Sequence, residues 1–190
     1  MLKYLGYAAL VLVAAIAIVL AYAATRPDTF RVARSLAIAA PPDRIFPLID
    51  GLHNWRSWSP YEEKDPDMKR GFEGPDRGKG AIYTWDGDGN VGSGRMTITD
   101  SVAPSRVAID LEMMRPISAR NEVVFTIAPR GPEGDLTSDV TWAMSGRVPY
   151  FAKIIHMFIN MDRMVGGDFE KGLATLKAEA EKKTSASRTE

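Results

Sequence analysis

The chain has 190 residues, 45% hydrophobic and 25% charged, with 24 Lys+Arg balancing 24 Asp+Glu. That length suits one globular domain with an appendage, and a formal net charge of zero offers no electrostatic case for nucleic acid as a partner. With no cysteine, the chain can form no disulfide, thiol nucleophile or thiolate metal site.

The first element is apolar. Leu5 to Ala24, LGYAALVLVAAIAIVLAYAA, runs twenty residues without a charge, between Lys3 and Arg26-Pro27. A bilayer core of ~30 Å needs about twenty such residues at ~1.5 Å rise each. Residues 1–25 therefore read as an N-terminal transmembrane anchor, with 5–24 in the bilayer and the rest of the chain tethered to the cell membrane. The alternative is a cleaved signal peptide, because Ala21-Tyr22-Ala23 fits an A-x-A cleavage site; the run exceeds the roughly 7–15 apolar residues of a signal sequence, which favours the anchor. Lys3 lies on one side and Arg26, Arg31 and Arg34 on the other. The positive-inside count favours a cytoplasmic domain, whereas a very short basic N-terminus before an apolar run is export-like. The reading leans to the extracytoplasmic side.

The remainder begins with a strand. Phe30, Val32, Leu36 and Ile38 share one face, with Arg34 the misfit among them. Pro42 suits the first turn of a short helix carrying Ile45, Phe46, Leu48 and Ile49, which ends near Gly51. Trp55 and Trp58 project from one side of any helical turn, and Ser59-Pro60 stops a helix there. Strands follow from Met68 onward: 80–85, 94–101, 106–113, 119–128 and 136–145. Asp86 to Asn90 forms a hairpin turn, and Gly131-Pro132-Glu133-Gly134 another. Val107, Ile109, Leu111 and Met113 face inward, as do Val123, Phe125 and Ile127, and Val140, Trp142 and Met144. From Tyr150 to Lys182 the period turns helical, with Gly166-Gly167 a possible bend; the tail 183–190 is polar and expected to be disordered. An antiparallel sheet with one solvated face must bury the other, and the long C-terminal helix is the only large partner.

Several chemistries have little to build on. His53 and His156 form no H-x-x-x-H pair, so a metal site or a Ser-His-Asp triad is not expected. Gly87 to Gly92 matches G-x-G-x-x-G but precedes a strand, so no helix N-terminus is there to hold a phosphate. Asp86, Asp88 and Asn90 open like a calcium loop, yet Val91 and Thr97 stand where glycine and glutamate are required. No cofactor is expected.

The segments FRVARSLAIAAPPDRIFPLI, NWRSWSP (54–60), GKGAIYTWDG (78–87), GRMTI (94–98), VTWAMSG (140–146) and MDRMVGGDFEKGLATLK (161–177) resemble, as a set, the START-like or SRPBCC superfamily of Bet v 1-type proteins. The likeness is greatest to the polyketide cyclase/dehydrase-like branch, and it covers residues 30–180. It implies an α+β helix-grip fold: a curved antiparallel sheet wrapped on a long C-terminal helix, with an internal cavity. It also implies an apolar ligand, since members bind lipids, sterols, quinones or polyketides and a minority are enzymes. No catalytic motif of the cyclases can be placed on this sequence residue by residue.

The resemblance sets NWRSWSP beside the cavity mouth, so Trp55, Trp58 and Tyr61 either line a pocket or pin their loop to the core. Glu62 is either an acid reaching a ligand or solvated charge like Glu63, Lys64 and Asp65. Tyr83, Trp85, Met96 and Ile98 share a hairpin face, and Met157, Met161 and Met164 lie at helical spacing. Both groups fit a ligand cavity with Phe125 and Trp142, or ordinary core. Arg34 and Arg120 are either cavity charges or solvent-exposed.

Three functions follow as expectations. The first is a membrane-tethered binding protein for a small hydrophobic or lipid-like ligand. The second is a cyclase/dehydrase-like enzyme, for which Glu62, Tyr83 and Asp168 are the available acid-base groups. The third is an interaction module whose cavity is filled by Trp85, Trp142, Phe125 and Phe158.

Overall fold

The fold is taken from a computed structural model that describes residues 2–131, 136–156 and 161–187. Helix α1 (Leu2–Ala24) leads into strand β1 (Thr29–Ile38), helix α2 (Pro42–Asp50), a 3-10 turn (Leu52–Ser57) and the short helix α3 (Pro60–Lys64). Six strands follow: β2 (Lys69–Glu73), β3 (Ile82–Asp86), β4 (Ser93–Val102), β5 (Arg106–Arg115), β6 (Ala119–Pro129) and β7 (Ser138–Arg147). Helices α4 (Tyr150–His156) and α5 (Met161–Ser187) complete it.

All seven strands join one antiparallel sheet in the order β1-β7-β6-β5-β4-β3-β2. The chain therefore meanders from β2 to β7 and closes the far edge with its first strand. Register irregularities at Ser93/Gly94 and Ile98/Asp100 mark bulges in β4, and bulges bend the strand that carries them. The alternation read from the sequence is what the pairing uses: Val123 faces Met144, Phe125 faces Trp142 and Ile127 faces Val140 across β6 and β7.

Helix α5 covers this face with a stripe of buried residues, Val165, Phe169, Leu173, Leu176 and Ala180. Their spacing of three and four is what one helical face requires. The helix is also clamped by polar contacts to β1. Arg34 Nε donates to Glu170 Oε1 at 2.6 Å, and its Nη1 meets Asp162 Oδ1 at 3.0 Å. Arg34 is thus a partly exposed strap between strand and helix. Arg120 faces outward on β6 and pairs with Asp110 and Glu112.

One expectation for the C-terminal region changes. Gly166-Gly167 does not break α5. Gly166 is small because a Cβ there would collide with the Arg34 guanidinium. The helix is described through Ser187, and 188–190 lie outside the described residues.

Helix α1 stands apart. Its segment Gly6–Ala24 is long and apolar enough to cross a membrane, and only 6% of it is buried. It touches the domain at its last turn. Tyr150 Oη donates to Leu20 O at 2.6 Å, and Lys153 Nζ reaches Asp28 Oδ1 at 2.5 Å and Arg26 O at 2.8 Å.

Candidate functional site

The concave face between sheet and helix divides into two halves. The half beneath α2 and the 3-10 turn is packed with aromatic rings. Trp55 Nε1 donates to Ile49 O and Trp58 Nε1 to Leu48 O, each at 2.8 Å. Both indoles thereby tie the 3-10 turn to the last turn of α2 while presenting their rings to the sheet. Trp55 and Trp58 lie 4.8 Å apart between centroids, Phe125 sits 5.8 and 6.0 Å from them, and Trp142 is 4.9 Å from Phe125. Phe169 of α5 stacks on Trp142 at 4.2 Å and 11°. Gly172, one turn on, lets the helix come this close, since a Cβ there would lie 2.7 Å from the Trp142 ring and 2.9 Å from Pro60. Among the described residues, Trp142 Nε1 is the one buried side-chain polar atom without a hydrogen-bond partner.

The other half is less filled. Its floor is a row of registered neighbours: Phe30 opposite Gly146, Gly146 opposite Asn121, Asn121 opposite Leu111, Leu111 opposite Met96 and Met96 opposite Tyr83. Phe30, Leu111, Met113 and Trp85 are only half-buried, in contrast to the fully buried row through Phe125 and Val107. Asn121 is 9% exposed, and its amide reaches over Gly146, where any Cβ would strike its Oδ1. No hydrogen bond to the Asn121 side chain forms among the described residues. Its amide oxygen and nitrogen are not sealed from solvent, so their hydrogen-bonding capacity is open to water or to a ligand.

One wall of this half is polar. Tyr83 Oη donates to Glu62 Oε1 at 2.8 Å, and Arg70 Nε donates to Glu62 Oε2 at 2.8 Å. Arg70 is held in turn by the carbonyls of Met68 at 2.6 Å and Pro66 at 3.0 Å. The Glu62 side chain is only 9% exposed, so its charge is balanced by Arg70 rather than by water. The Arg70 guanidinium is held above its ordinary range, chiefly by its hydrogen bond to Glu62. Burial raises the Tyr83 hydroxyl well above its ordinary 10.0, and its hydrogen bond to Glu62 adds to the effect. Tyr61 is also raised, by burial first and then by the charge of Asp168.

The sequence-derived candidates therefore separate. Trp55, Trp58, Phe125, Trp142 and Ile98 belong to the packed half, and Ile98 is 1% exposed. Glu62, Tyr83, Trp85 and Met96 gather in the open half, with Tyr61 half-buried beside Asp168. Trp85 is fixed over Gly94 by a hydrogen bond from its Nε1 to Val91 O at 3.1 Å. Asp168 is bound to Lys64 at 2.6 Å, joining α5 to α3, and makes no hydrogen bond to Glu62 or Tyr83. Met164 is 55% exposed and turns away from the interior. Met161 opens α5, while Met157 and Phe158 lie outside the described residues.

Asn121 and Arg70 were missed. Each occupies an inward position in a strand otherwise apolar on that face, and that break in alternation is the signal that marks them.

A separate cleft of about 250 Å³ lies at the β2 edge, lined by Leu52, His53, Phe72, Glu73, Asp76 and Ala81. The His53 ring stacks on Phe72 there at 3.7 Å. Among the described residues no group of three His, Asp or Glu side chains is placed to hold a metal ion.

The fold recurs widely among solved structures. A Chromobacterium violaceum protein matches with a TM-score of 0.55 at 15% identity, over 82% of this chain and 99% of its own. A Thermobifida fusca protein matches with a TM-score of 0.57 at 18% identity, over 80% and 93%. Norcoclaurine synthase from Thalictrum flavum, solved with dopamine and hydroxybenzaldehyde, matches with a TM-score of 0.59 at 13% identity, over 81% and 87%. At these identities the likeness is one of fold. No curated protein matches significantly in sequence. The sequence profile of the polyketide cyclase / dehydrase and lipid transport family matches residues 29–181, nearly everything after the apolar helix, and the chain belongs to that family.

Proposed function

We propose that the protein is a membrane-tethered binding protein for a small hydrophobic or lipid-like molecule, held against the open half of the concave face. The observation that carries this reading is Asn121: a 9% exposed amide that makes no hydrogen bond to the described protein, set in an apolar floor of Phe30, Leu111 and Met96. Apolar pockets with a few placed polar groups are the usual form of a small-molecule site. Burial of ligand surface would drive binding at ~25 cal/mol per Å² before ordering costs, and the Asn121 amide would orient one polar group of the ligand. Membership of a family that includes lipid transport supports the same class of ligand. Helix α1 would keep the site at the bilayer, where such molecules partition.

The test is native mass spectrometry of the full chain released from nanodiscs of one defined lipid. An additional apolar mass should accompany the wild type and be lost in Leu111→Trp, which fills the open half from its floor. A clean unliganded mass in both proteins would overturn the reading.

A second reading rests on the Tyr83–Glu62–Arg70 group. A carboxylate and a phenol hydrogen-bonded at the wall of an apolar site are a general acid-base pair in form. In this reading the protein transforms its ligand, and Glu62→Gln and Tyr83→Phe would bind it but leave it unchanged. Recovery of the same unaltered compound from wild type and variants would remove the catalytic role and leave binding.

A further inference from the structure

The open half of the grip and the end of α1 lie at the same end of the sheet. Thr29, where β1 leaves the apolar helix, pairs with Arg147 at the end of β7, and the next pairs inward are Phe30 with Gly146 and Gly146 with Asn121. The turn between β5 and β6 projects from this end as well, because Met113 pairs with Ala119 and residues 114–118 continue past them. At ~3.3 Å per residue the tip reaches roughly 10 Å beyond Arg147.

Large exposed apolar side chains concentrate at this end. Outside α1 there are eight among the described residues: Val102, Met114, Ile117, Leu136, Tyr150, Phe151, Ile155 and Met164. Val102 and Leu136 belong to the opposite end of the sheet. The other six sit in the β5–β6 turn, on α4 and at the start of α5, with Phe151 56% exposed and Ile117 57% exposed. A concentration of this kind marks an interaction surface.

Helix α1 identifies what covers it. Tyr150 Oη bonds to Leu20 O, four residues before the end of the apolar segment. At ~1.5 Å per residue, this places the Tyr150 hydroxyl about 6 Å inside the end of the span. A tyrosine side chain is about as long as that depth, so α4 begins level with the end of the span, at the headgroup layer. Its chemistry fits the layer: Tyr22 and Tyr150 bring amphipathic rings to the span's end, and Lys153 turns its ammonium to Asp28 and the Arg26 carbonyl.

We infer that this end of the domain docks on the lipid surface itself, with α4 lying in the headgroup layer, Phe151 and Ile155 entering its apolar edge, and Met114 and Ile117 dipping in from the β5–β6 turn. The open half of the grip then faces lipid rather than water, and its ligand passes to and from the bilayer without crossing solvent. This rests on the reading of α1 as a membrane anchor and of the open half as the binding site.

Because the chain has no cysteine, single labels report cleanly. The full chain is reconstituted in phosphatidylcholine vesicles carrying a nitroxide-labelled lipid. Leu12→Cys, Ile117→Cys, Phe151→Cys and Val102→Cys are each labelled with an environment-sensitive fluorophore. The labels at 12, 117 and 151 should shift to the blue and lose most of their emission to the quencher, and the label at 102 should do neither. Quenching at 12 alone would overturn the docking and leave the anchor standing. No quenching at 12 would remove the anchor and the docking together. Ligand retention is read independently by the mass measurement on the same samples.

Discussion

The two halves of one concave face are built from the same strands, yet they solve different problems. In the half under α2, Trp55, Trp58, Phe125, Trp142 and Phe169 pack ring against ring. A few residues further along the same strands, the inward positions hold Asn121, Tyr83 and Arg70, and the apolar ones between them are half-covered. The first arrangement is what holds the grip together. The second keeps polar groups on the inward face, with Tyr83 and Arg70 paired to Glu62 and the Asn121 amide making no hydrogen bond to the described protein. Stability and binding are thus assigned to opposite ends of one surface, and the packed end is the rigid frame from which the open end is held.

The contrast is broken most directly by truncation. Phe125→Ala removes a fully buried ring from the packed half and should cost about 3–5 kcal/mol. Leu111→Ala, on the open floor, should cost about 1 kcal/mol, because a half-covered side chain leaves less void behind. Urea unfolding of both variants measures the difference, and equal losses would mean that the two halves are packed alike.

Gly172→Ala comes next. The added methyl meets the Trp142 ring and Pro60, neither of which can rotate aside, so overpacking should cost about 1–3 kcal/mol. The variant should retain ligand in proportion to its folded fraction, since the change lies in the frame.

The smallest effect is in pH. Burial holds the hydroxyls of Tyr83 and Tyr61 above their ordinary 10.0. The unfolded chain therefore releases these protons first, so their contribution to stability is complete below pH 10.0 and declines as pH rises above it. Tyr83→Phe should flatten part of that decline in the urea midpoint. An unchanged alkaline slope would mean that Tyr83 is not buried as described. At the acid end, Asp162 is lowered by its hydrogen bond to Arg34, so the strap on α5 is intact above pH 3.8 and loosens as pH falls through the lower folded value.

Much of this architecture was legible in the chain. Alternation along 106–113, 119–128 and 136–145 identified the inward faces, because a strand places successive side chains on opposite sides whatever surrounds it. Spacing of three and four identified the stripe on α5 for the same local reason. The apolar run of α1 needed only its length and lack of charge. The family resemblance then supplied the grip that joins them, and the sheet and helix have that form.

What periodicity does not carry is depth. It says that Phe125 and Asn121 share a face, but not that one lies against three rings while the other makes no side-chain hydrogen bond. That depends on where the 3-10 turn and α5 come to rest, and those elements meet the sheet from 70 residues before Phe125 and 44 residues after it. In the same way Arg34 read as an intruder in an apolar strand until α5 brought Asp162 and Glu170 across it, and Gly166 read as a bend until the Arg34 guanidinium was found beneath it. The sequence by itself determined the elements, their faces and the apolar helix, because each depends on neighbours a few residues away. Only the tertiary structure decided which half of the face is filled and which polar side chains are paired, because those depend on distances between segments far apart in the chain.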